Sequence, residues 1–272
     1  MNKTALKIVV PGALGRMGRA VIRLIDTQPD CALHGAIERP DHPDAGRDVG
    51  NLVLGRHLGV SLEDDLRHVL LGADAVVDFT APEATLSHAS VAAEHRVPLI
   101  IGTTGLTTEQ KETIRAAAAS TPIVLAPNMS IGVNLLFFLT RLVARTLAAD
   151  TDVEIVETHH RHKADAPSGT ALKLAEVIGE ELGYENPAAH YEYGRQGRTG
   201  ERESGRIGLH AVRGGDIVGL HDVNFFGAGE VLTLTHRATS RDNFAKGALR
   251  AAAWLQGKPS GLYDMGDVLG LK

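Results

Sequence analysis

One stretch limits the possible folds of this chain more than any other. Residues 6–10, Leu-Lys-Ile-Val-Val, form an apolar, β-branched run, and Pro-Gly-Ala-Leu-Gly-Arg-Met-Gly follows directly. The run predicts a strand covered on both faces. The stretch Arg16–Thr27 then carries helical spacing. Between the two, Gly12, Gly15 and Gly18 are spaced G-x-x-G-x-x-G. Backbone without Cβ lets a pyrophosphate approach, and the start of the helix offers unpaired N–H groups and a positive dipole end. Leu14 departs from the commoner G-x-G-x-x-G, and the same glycines also suit close strand–helix packing with no ligand at all.

The pattern continues through the first half. Strands are predicted over 33–37, 75–80, 98–104 and 122–128, and helices over 62–71, 82–95 and 108–119. Such alternation predicts an α/β fold, a doubly wound, mostly parallel dinucleotide-binding domain with right-handed crossovers. The second half reads as an α+β domain with an open mixed sheet. A strand ending in Glu-Thr-His-His leads to a helix over 169–183, then to a long polar loop over 184–205. Strand runs follow over 206–213, 215–226 and 229–239, with Gly214-Gly215 read as a hairpin turn, and a last helix covers 241–255. An open sheet has edges and an exposed face, through which oligomers form.

Composition removes several function classes. The formal net charge of −5 speaks against a general nucleic-acid binder. Cys31 is the single cysteine, which excludes an intramolecular disulfide and fits a reducing, cytoplasmic setting. The apolar stretch 131–149 is interrupted by Asn134, Arg141 and Arg145, so a buried helix is expected there and no membrane partner. The amino terminus enters a strand at once, and no secretory leader is expected.

Two sites are expected. In the first, the glycine turn is joined by Glu38, which ends the second strand where a carboxylate accepts hydrogen bonds from ribose hydroxyls. Arg39 beside it suits a 2′-phosphate, so both NADH and NADPH are expected as cofactors. Ligands lie beyond the carboxyl ends of parallel strands, which brings in Gly102, Thr103, Thr104 and Gly105, and Ala126, Pro127, Asn128, Met129 and Ser130. Small residues there admit a nicotinamide ring, and Phe79 is a further candidate for the same crevice or for plain core packing.

The second site is the run His159-His160-Arg161-His162-Lys163, followed by Asp-Ala-Pro167-Ser168-Gly169-Thr170. Neighbouring strand residues point to opposite faces, so His159 and His160 diverge, and the three histidines lack zinc-type spacing. No metal is expected. A solvated charge run is the plain alternative. Ser168 reads as a helix N-cap with Gly169 and Thr170 in the first turn, whose N–H groups form an anion site. Cations beside a helix mouth fit a small dicarboxylate, and lysine and histidine also supply protons near neutral pH.

Together "GALGRMG", "ETHHRHKADAPSGTA", "GRQGRTGERESGRIGLHAVRGGDIVG" and "GLYDMGDVLGLK" resemble the 4-hydroxy-tetrahydrodipicolinate reductase (dihydrodipicolinate reductase) family, which serves the diaminopimelate route to lysine in bacteria and plants. The resemblance runs over nearly the whole chain, and residues 159–170 are its most specific part. It implies a nucleotide-binding domain of residues 1–130 and 241–272, and a substrate-binding and oligomerisation domain of residues 131–240 in a homotetramer. It also implies roles. Gly12, Ala13, Leu14, Gly15, Arg16 and Met17 hold the pyrophosphate, and Glu38 and Arg39 read the ribose and its phosphate. Gly102, Thr103, Thr104, Ala126, Pro127, Asn128 and Met129 line the nicotinamide crevice, Met129 standing where relatives often carry phenylalanine. His159 and Lys163 handle protons, and His160, Gly169 and Thr170, with Ser168 nearby, hold the substrate carboxylates. The implied reaction is hydride transfer from NADH or NADPH to ring C4 of the substrate. A nucleotide sensor without turnover and a metal-dependent hydrolase are the competing classes, and a sensor needs no proton donor.

Overall fold

The computed structural model describes residues 5–272. These form two compact units, one comprising the described residues up to Ile131 with Arg241–Lys272, the other Gly132–Ser240. In chain order the elements are β1 (Leu6–Pro11), α1 (Arg16–Thr27), β2 (Cys31–Ile37), α2 (Val49–Val53), β3 (Leu62–Glu63), β4 (Ala75–Asp78), α3 (Pro82–His95), β5 (Leu99–Ile101), α4 (Thr108–Ala117) and β6 (Pro122–Leu125). Then come α5 (Ile131–Leu147), β7 (Asp152–His159), α6 (Gly169–Glu181), β8 (Tyr191–Tyr193), β9 (Ile207–Arg213), β10 (Gly219–Phe226), β11 (Val231–Ala238), α7 (Asp242–Trp254), β12 (Gly261–Tyr263) and α8 (Met265–Leu269).

In the first unit the strand order is β12-β6-β5-β4-β1-β2-β3, and every neighbouring pair is parallel. The chain builds outward from β1 through β2 and β3, then returns to lay β4 on the other side of β1. That reversal makes the crevice beyond β1 and β4 the place where ligands bind in such sheets. Both faces are covered. Ile8, Val10, Val77, Ile100 and Val124 pack with Val21 and Ile22 of α1 and Ala248 and Leu249 of α7. Val9, Val76, Leu99, Ile101 and Ile123 pack with Ala89 and Ala92 of α3 and Ile114 of α4. Each aliphatic side chain fully withdrawn from water contributes about 1.5–3 kcal/mol. The closing segment belongs here by tight fit: a Cβ on Gly247 of α7 would lie 1.7 Å from the carbonyl oxygen of Met129.

The expected helix over 62–71 is not formed. Leu62, Leu66 and Leu70 are buried at helical spacing, yet Leu62 lies in β3, paired with Ala36 of β2. Asp65 then accepts the N–H of Arg67 and starts only a short 3-10 turn, Leu66–Val69. Leu71 is 92% exposed. The strands expected over 75–80, 98–104 and 122–128 stop two to three residues early. At β4 the cause is local: the Asp78 carboxylate takes the Thr80 N–H at 2.7 Å and turns the chain out of the sheet.

The second unit has a five-stranded mixed sheet, β11-β10-β7-β9-β8. Val153 and Ile155 of β7, Ile207 and Leu209 of β9, and Val223 and Phe225 of β10 share one face, packed with Leu136 of α5 and Leu174 and Ile178 of α6. Gly214-Gly215 is not a hairpin turn. β9 runs parallel to β7 and β10 lies antiparallel on its other side, so their connection crosses the end of β7. Its backbone serves the chain leaving β7 instead: the Gly214 N–H donates to His159 O, while Gly215 O and Ile217 O accept from Arg161 and His160. The long polar loop is also partly ordered. It holds a 3-10 turn, Pro187–His190, and β8, and Arg195 and Arg202 from it both pair with Glu154.

Candidate active site

The glycine turn is shaped for close approach. Gly12 has φ +64, and a Cβ there would lie 2.9 Å from Thr80 Cγ2. A Cβ on Gly18 would lie 2.1 Å from the Gly12 carbonyl, so α1 sits against the loop only because that position is glycine. Gly15 is the N-cap of α1 and contributes no side-chain cap, which leaves the helix mouth unblocked by its own cap residue. Ala13 is buried and works through its backbone, donating to Ile37 O, while Gly15, Arg16 and Arg39 are exposed. Glu38 Oε1 accepts the Leu14 N–H at 2.9 Å, tying the end of β2 to the turn. Met17 is half-buried. Arg19 adds an anchor that was not anticipated, donating to Leu14 O and Leu52 O at 2.8 Å each.

The ends of β4 and β5 are held by a buried polar network. Asp78 is fully buried, and its Oδ1 accepts from Thr80 N and Oγ1 at 2.7 and 2.6 Å, its Oδ2 facing His88 Nδ1 at 2.8 Å. Thr85 Oγ1 lies 2.7 Å from Thr103 Oγ1 and 3.3 Å from Thr80 Oγ1. Phe79 lies against Gly102, where a Cβ would sit 2.1 Å from Phe79 Cε1. Thr104 and Pro127 are exposed, Ala126 is buried, and Asn128 Oδ1 accepts the Ser130 N–H. Met129 is 1% exposed and belongs to the core rather than to an accessible wall. These residues fit a dinucleotide: a side-chain-free cradle, an uncapped helix mouth and a carboxylate at the end of β2.

The second unit concentrates its chemistry where the apolar face of its sheet ends. Past Val153 and Ile155, the same face of β7 presents Glu157 and His159. Cross-strand neighbours continue the polar band, His221 opposite Glu157, His236 opposite His221 and Arg213 opposite His159. Glu157 is fully buried, with His159 Nδ1 2.5 Å from its Oε2. Arg213 donates to Glu157 Oε2 and Oε1 at 2.8 and 2.7 Å, and the Ser168 N–H donates to Oε1 at 3.0 Å. Ser168 caps α6 through Ala171 N, and its Oγ also meets His221 Nε2 at 3.1 Å. The rings of His159 and His221 meet edge to face, 5.1 Å apart.

Burial by itself raises the Glu157 carboxyl, but Arg213, His159 and the Ser168 N–H outweigh it and hold the group below the usual carboxylate range. Burial lowers His159 below an ordinary histidine, with Glu157 working in the opposite direction. His221 is pushed down to about 3, chiefly by burial, and is neutral at physiological pH. Lys163 Nζ contacts both oxygens of Asp165 at 2.8 Å. His160 has left the strand, its ring 6.2 Å from that of His162, and its buried Nδ1 has no hydrogen-bond partner among the described residues. Gly169 is exposed at the α6 mouth with open space where a Cβ would stand, and Thr170 is half-buried beside it. Among the described residues one trio, Glu63, Asp64 and His68, brings metal-ligating atoms within 4.8 Å of one another, and it lies outside the histidine run.

Glu157, Arg213 and His221 were not anticipated. The first had a readable signal, because strand alternation puts residue 157 on the same face as residue 159. Arg213 and His221 come from strands whose register no local pattern gives.

The two halves of the chain match two family descriptions, "Dihydrodipicolinate reductase, N-terminus" over residues 6–129 and "Dihydrodipicolinate reductase, C-terminus" over residues 132–269. A protein of Anaeromyxobacter dehalogenans named 4-hydroxy-tetrahydrodipicolinate reductase is 53% identical over 266 residues, 98% of each chain. One of the same name from Syntrophus aciditrophicus is 49% identical over 268 residues, 98% of this chain and 99% of that one. Among solved structures, a dipicolinate-bound dihydrodipicolinate reductase from Paenisporosarcina superposes with a TM-score of 0.76 at 25% identity, covering 96% of this chain and 98% of that one. With a parallel sheet whose order reverses at β1 and β4, a buried polar cluster at the end of β7 and this likeness along its whole length, the chain belongs to the dihydrodipicolinate reductase family.

Proposed function

We propose that the chain is an NAD(P)H-dependent oxidoreductase that reduces 4-hydroxy-tetrahydrodipicolinate to tetrahydrodipicolinate in the diaminopimelate route of lysine biosynthesis. The reaction takes up one hydride and one proton and releases one water. The observation that carries the reading is the pairing of buried His159 with the α6 helix mouth through one carboxylate, Glu157. A proton handler and an anion cradle built on the same side chain suit a small dicarboxylate that must be both held and protonated.

A bound reduced nicotinamide supplies the hydride. Gly12 to Met17 and the uncapped start of α1 hold its pyrophosphate, and Glu38 accepts from the ribose hydroxyls. Arg39, exposed at the end of β2, meets a 2′-phosphate, so NADH and NADPH both serve. Phe79, the strand ends at Gly102 to Thr104 and Ala126 to Asn128 border the nicotinamide, while buried Met129 supports that wall from behind. In the second unit the N–H groups of Gly169 and Thr170, with His160 and with Ser168 as the cap, hold the substrate carboxylates. Lys163 and His159 supply the proton as negative charge develops through the conjugated system, and fixed cations there act in the transition state more than in the ground state.

On the sheet face of the second unit opposite the one packed on α5 and α6, Val212, Phe226 and Val231 are exposed. This supports a homotetramer assembled through that face. Among the described residues no helix is long and apolar enough to cross a membrane, and the single cysteine suits the cytoplasm.

The decisive experiment couples purified protein to the synthase that makes the unstable substrate and follows nicotinamide absorbance with NADH and with NADPH. Oxidation of either is expected. No oxidation of either, with the synthase active, removes the reading.

A further inference from the structure

Glu157 joins His159 to the α6 mouth but has been given no part in the chemistry, and its carboxylate carries four hydrogen bonds. A carboxylate has about four lone-pair directions. Here all are taken: Oε1 by the Ser168 N–H and Arg213 Nη2, Oε2 by Arg213 Nη1 and His159 Nδ1. No acceptor capacity is left for a ligand, and the side chain is fully buried. Three of its four partners are donors whatever the pH. An ionised carboxylate only accepts, so the fourth, His159 Nδ1, must carry its proton. That leaves Nε2 as the nitrogen that exchanges protons, on the side of the ring facing Gly219, where a Cβ would come within 3.1 Å.

We propose that Glu157 is a positioning residue for the reduction: locked by Arg213 and by the amide of Ser168, it holds His159 in the Nδ1–H tautomer and presents Nε2 as the working nitrogen. The inference rests on the reading of His159 as a proton handler. It also explains why Ser168 is buried and spent on the cap and on His221, since its backbone N–H ties the α6 mouth to the same carboxylate. Two hydrogen bonds through one carboxylate keep the proton handler and the anion cradle in register, the first of them like the bond a carboxylate makes to the histidine of a hydrolase triad.

The charged and titratable groups facing His159 are Glu157 on its own strand, Lys163 with Asp165 on the following loop, Arg213 from β9 and His221 from β10. Only Glu157 favours the protonated ring by direct contact. Its neutralisation therefore lowers the pH at which His159 titrates.

The test is Glu157→Gln in the full-length protein. The expected result is a fall in kcat of ~10–100-fold with KM changed less than about threefold, and a pH profile of kcat whose histidine limb moves at least about one unit toward acid. Unchanged kcat and an unmoved limb overturn the proposal. A purely structural role would lower the active fraction and leave the limb in place, which also overturns it. Histidine-edited ¹H–¹⁵N spectra of the wild-type protein test the tautomer with no variant and no turnover. A neutral His159 protonated on Nδ1 is expected; protonation on Nε2 overturns the proposal even where Glu157→Gln fails to fold. His159→Gln separates the two layers: if it keeps wild-type kcat, the proton-handler reading fails, while the spectra still report on Glu157.

Discussion

Arg213 grips Glu157 with both prongs of its guanidinium, Nη1 to Oε2 at 2.8 Å and Nη2 to Oε1 at 2.7 Å. The carboxylate is fully buried, whereas the arginine side chain keeps 21% of its exposure. A buried charge needs compensation, and the arginine is the foremost of the groups that keep the acid ionised, ahead of His159 and the Ser168 N–H. The same guanidinium also donates to the carbonyl of Asp165, fastening the loop that carries Lys163.

The first prediction follows from that asymmetry. Arg213→Met strands the carboxylate of Glu157 without its main counter-charge. Breaking a buried pair from one side costs about 3–5 kcal/mol. Urea denaturation should show a loss of that order, and the double variant Arg213→Met with Glu157→Leu should recover part of it. A single-variant loss below about 1 kcal/mol would mean that the pair contributes little to the fold.

Acid sensitivity is the second. His221 has a folded pKa of about 3 against 6.5 for the free side chain, chiefly because it is buried. A depressed folded pKa means that the unfolded chain binds the proton first as pH falls. The contribution is therefore intact above about pH 6.5 and is lost progressively down to about pH 3. His159 acts in the same direction. His221→Asn should flatten the decline of stability between pH 6.5 and 4.5, by up to about 1.4 kcal/mol per pH unit, read from urea midpoints by circular dichroism. Parallel curves for variant and wild type would reject this account.

A third concerns the strand-end wall. Gly102→Ala places a methyl 2.1 Å from Phe79 Cε1, closer than any real contact. The ring must swing away, and overpacking of this kind costs about 1–3 kcal/mol. Fluorescence titration should show weaker binding of both NADH and NADPH, by a similar factor for each. Unchanged nucleotide affinity would take Phe79 out of the cofactor wall.

How far the sequence was legible depended on the range of the interaction. The parallel sheet was readable because each strand and each covering helix carries its own period. Glu38 and the glycine turn were readable because they are neighbours of strand ends. Residues 62–71 misled, since Leu62, Leu66 and Leu70 keep helical spacing while Leu62 is taken by a strand pairing set from outside the segment. Gly214-Gly215 misled for a similar reason: turn chemistry says that a chain reverses but not which strand lies between. Asp78 with Thr80, Thr85, Thr103 and His88 was invisible because it joins the ends of two strands and a helix. Arg213 and His221 stand against Glu157 only in the folded register of three strands.

The fourth prediction addresses the nucleotide. Arg39 is exposed at the end of β2, next to Glu38, whose Oε1 is held by the Leu14 N–H. The carboxylate is thus tied to the glycine turn, while Arg39 stands exposed beside it; under the proposed function the first takes the ribose and the second a 2′-phosphate. Arg39→Ala should weaken NADPH about tenfold, one charge-assisted hydrogen bond of ~1.5 kcal/mol, and leave NADH within about twofold. Equal effects on the two would mean that Arg39 does not read the phosphate.

Lys163 gives the last. Its ammonium contacts both oxygens of Asp165 at 2.8 Å, and Asp165 is itself exposed; under the proposed function this pair gives way to the dianionic substrate. With Asp165 open to solvent the pair is worth about 1 kcal/mol or less, so little is lost in exchanging one carboxylate for another. Removing the amine should therefore leave the fold intact and act on the chemistry. Lys163→Ala should lower kcat by ~10²–10⁴ with NADH binding preserved, as expected for loss of a proton donor or of a cation that meets developing charge. Asp165→Asn should be nearly silent in kcat, because its role ends when the ligand arrives. A near-normal kcat for Lys163→Ala would leave His159 as the sole proton handler, whereas a large effect of Asp165→Asn would show that the lysine has to be held in place before substrate binds.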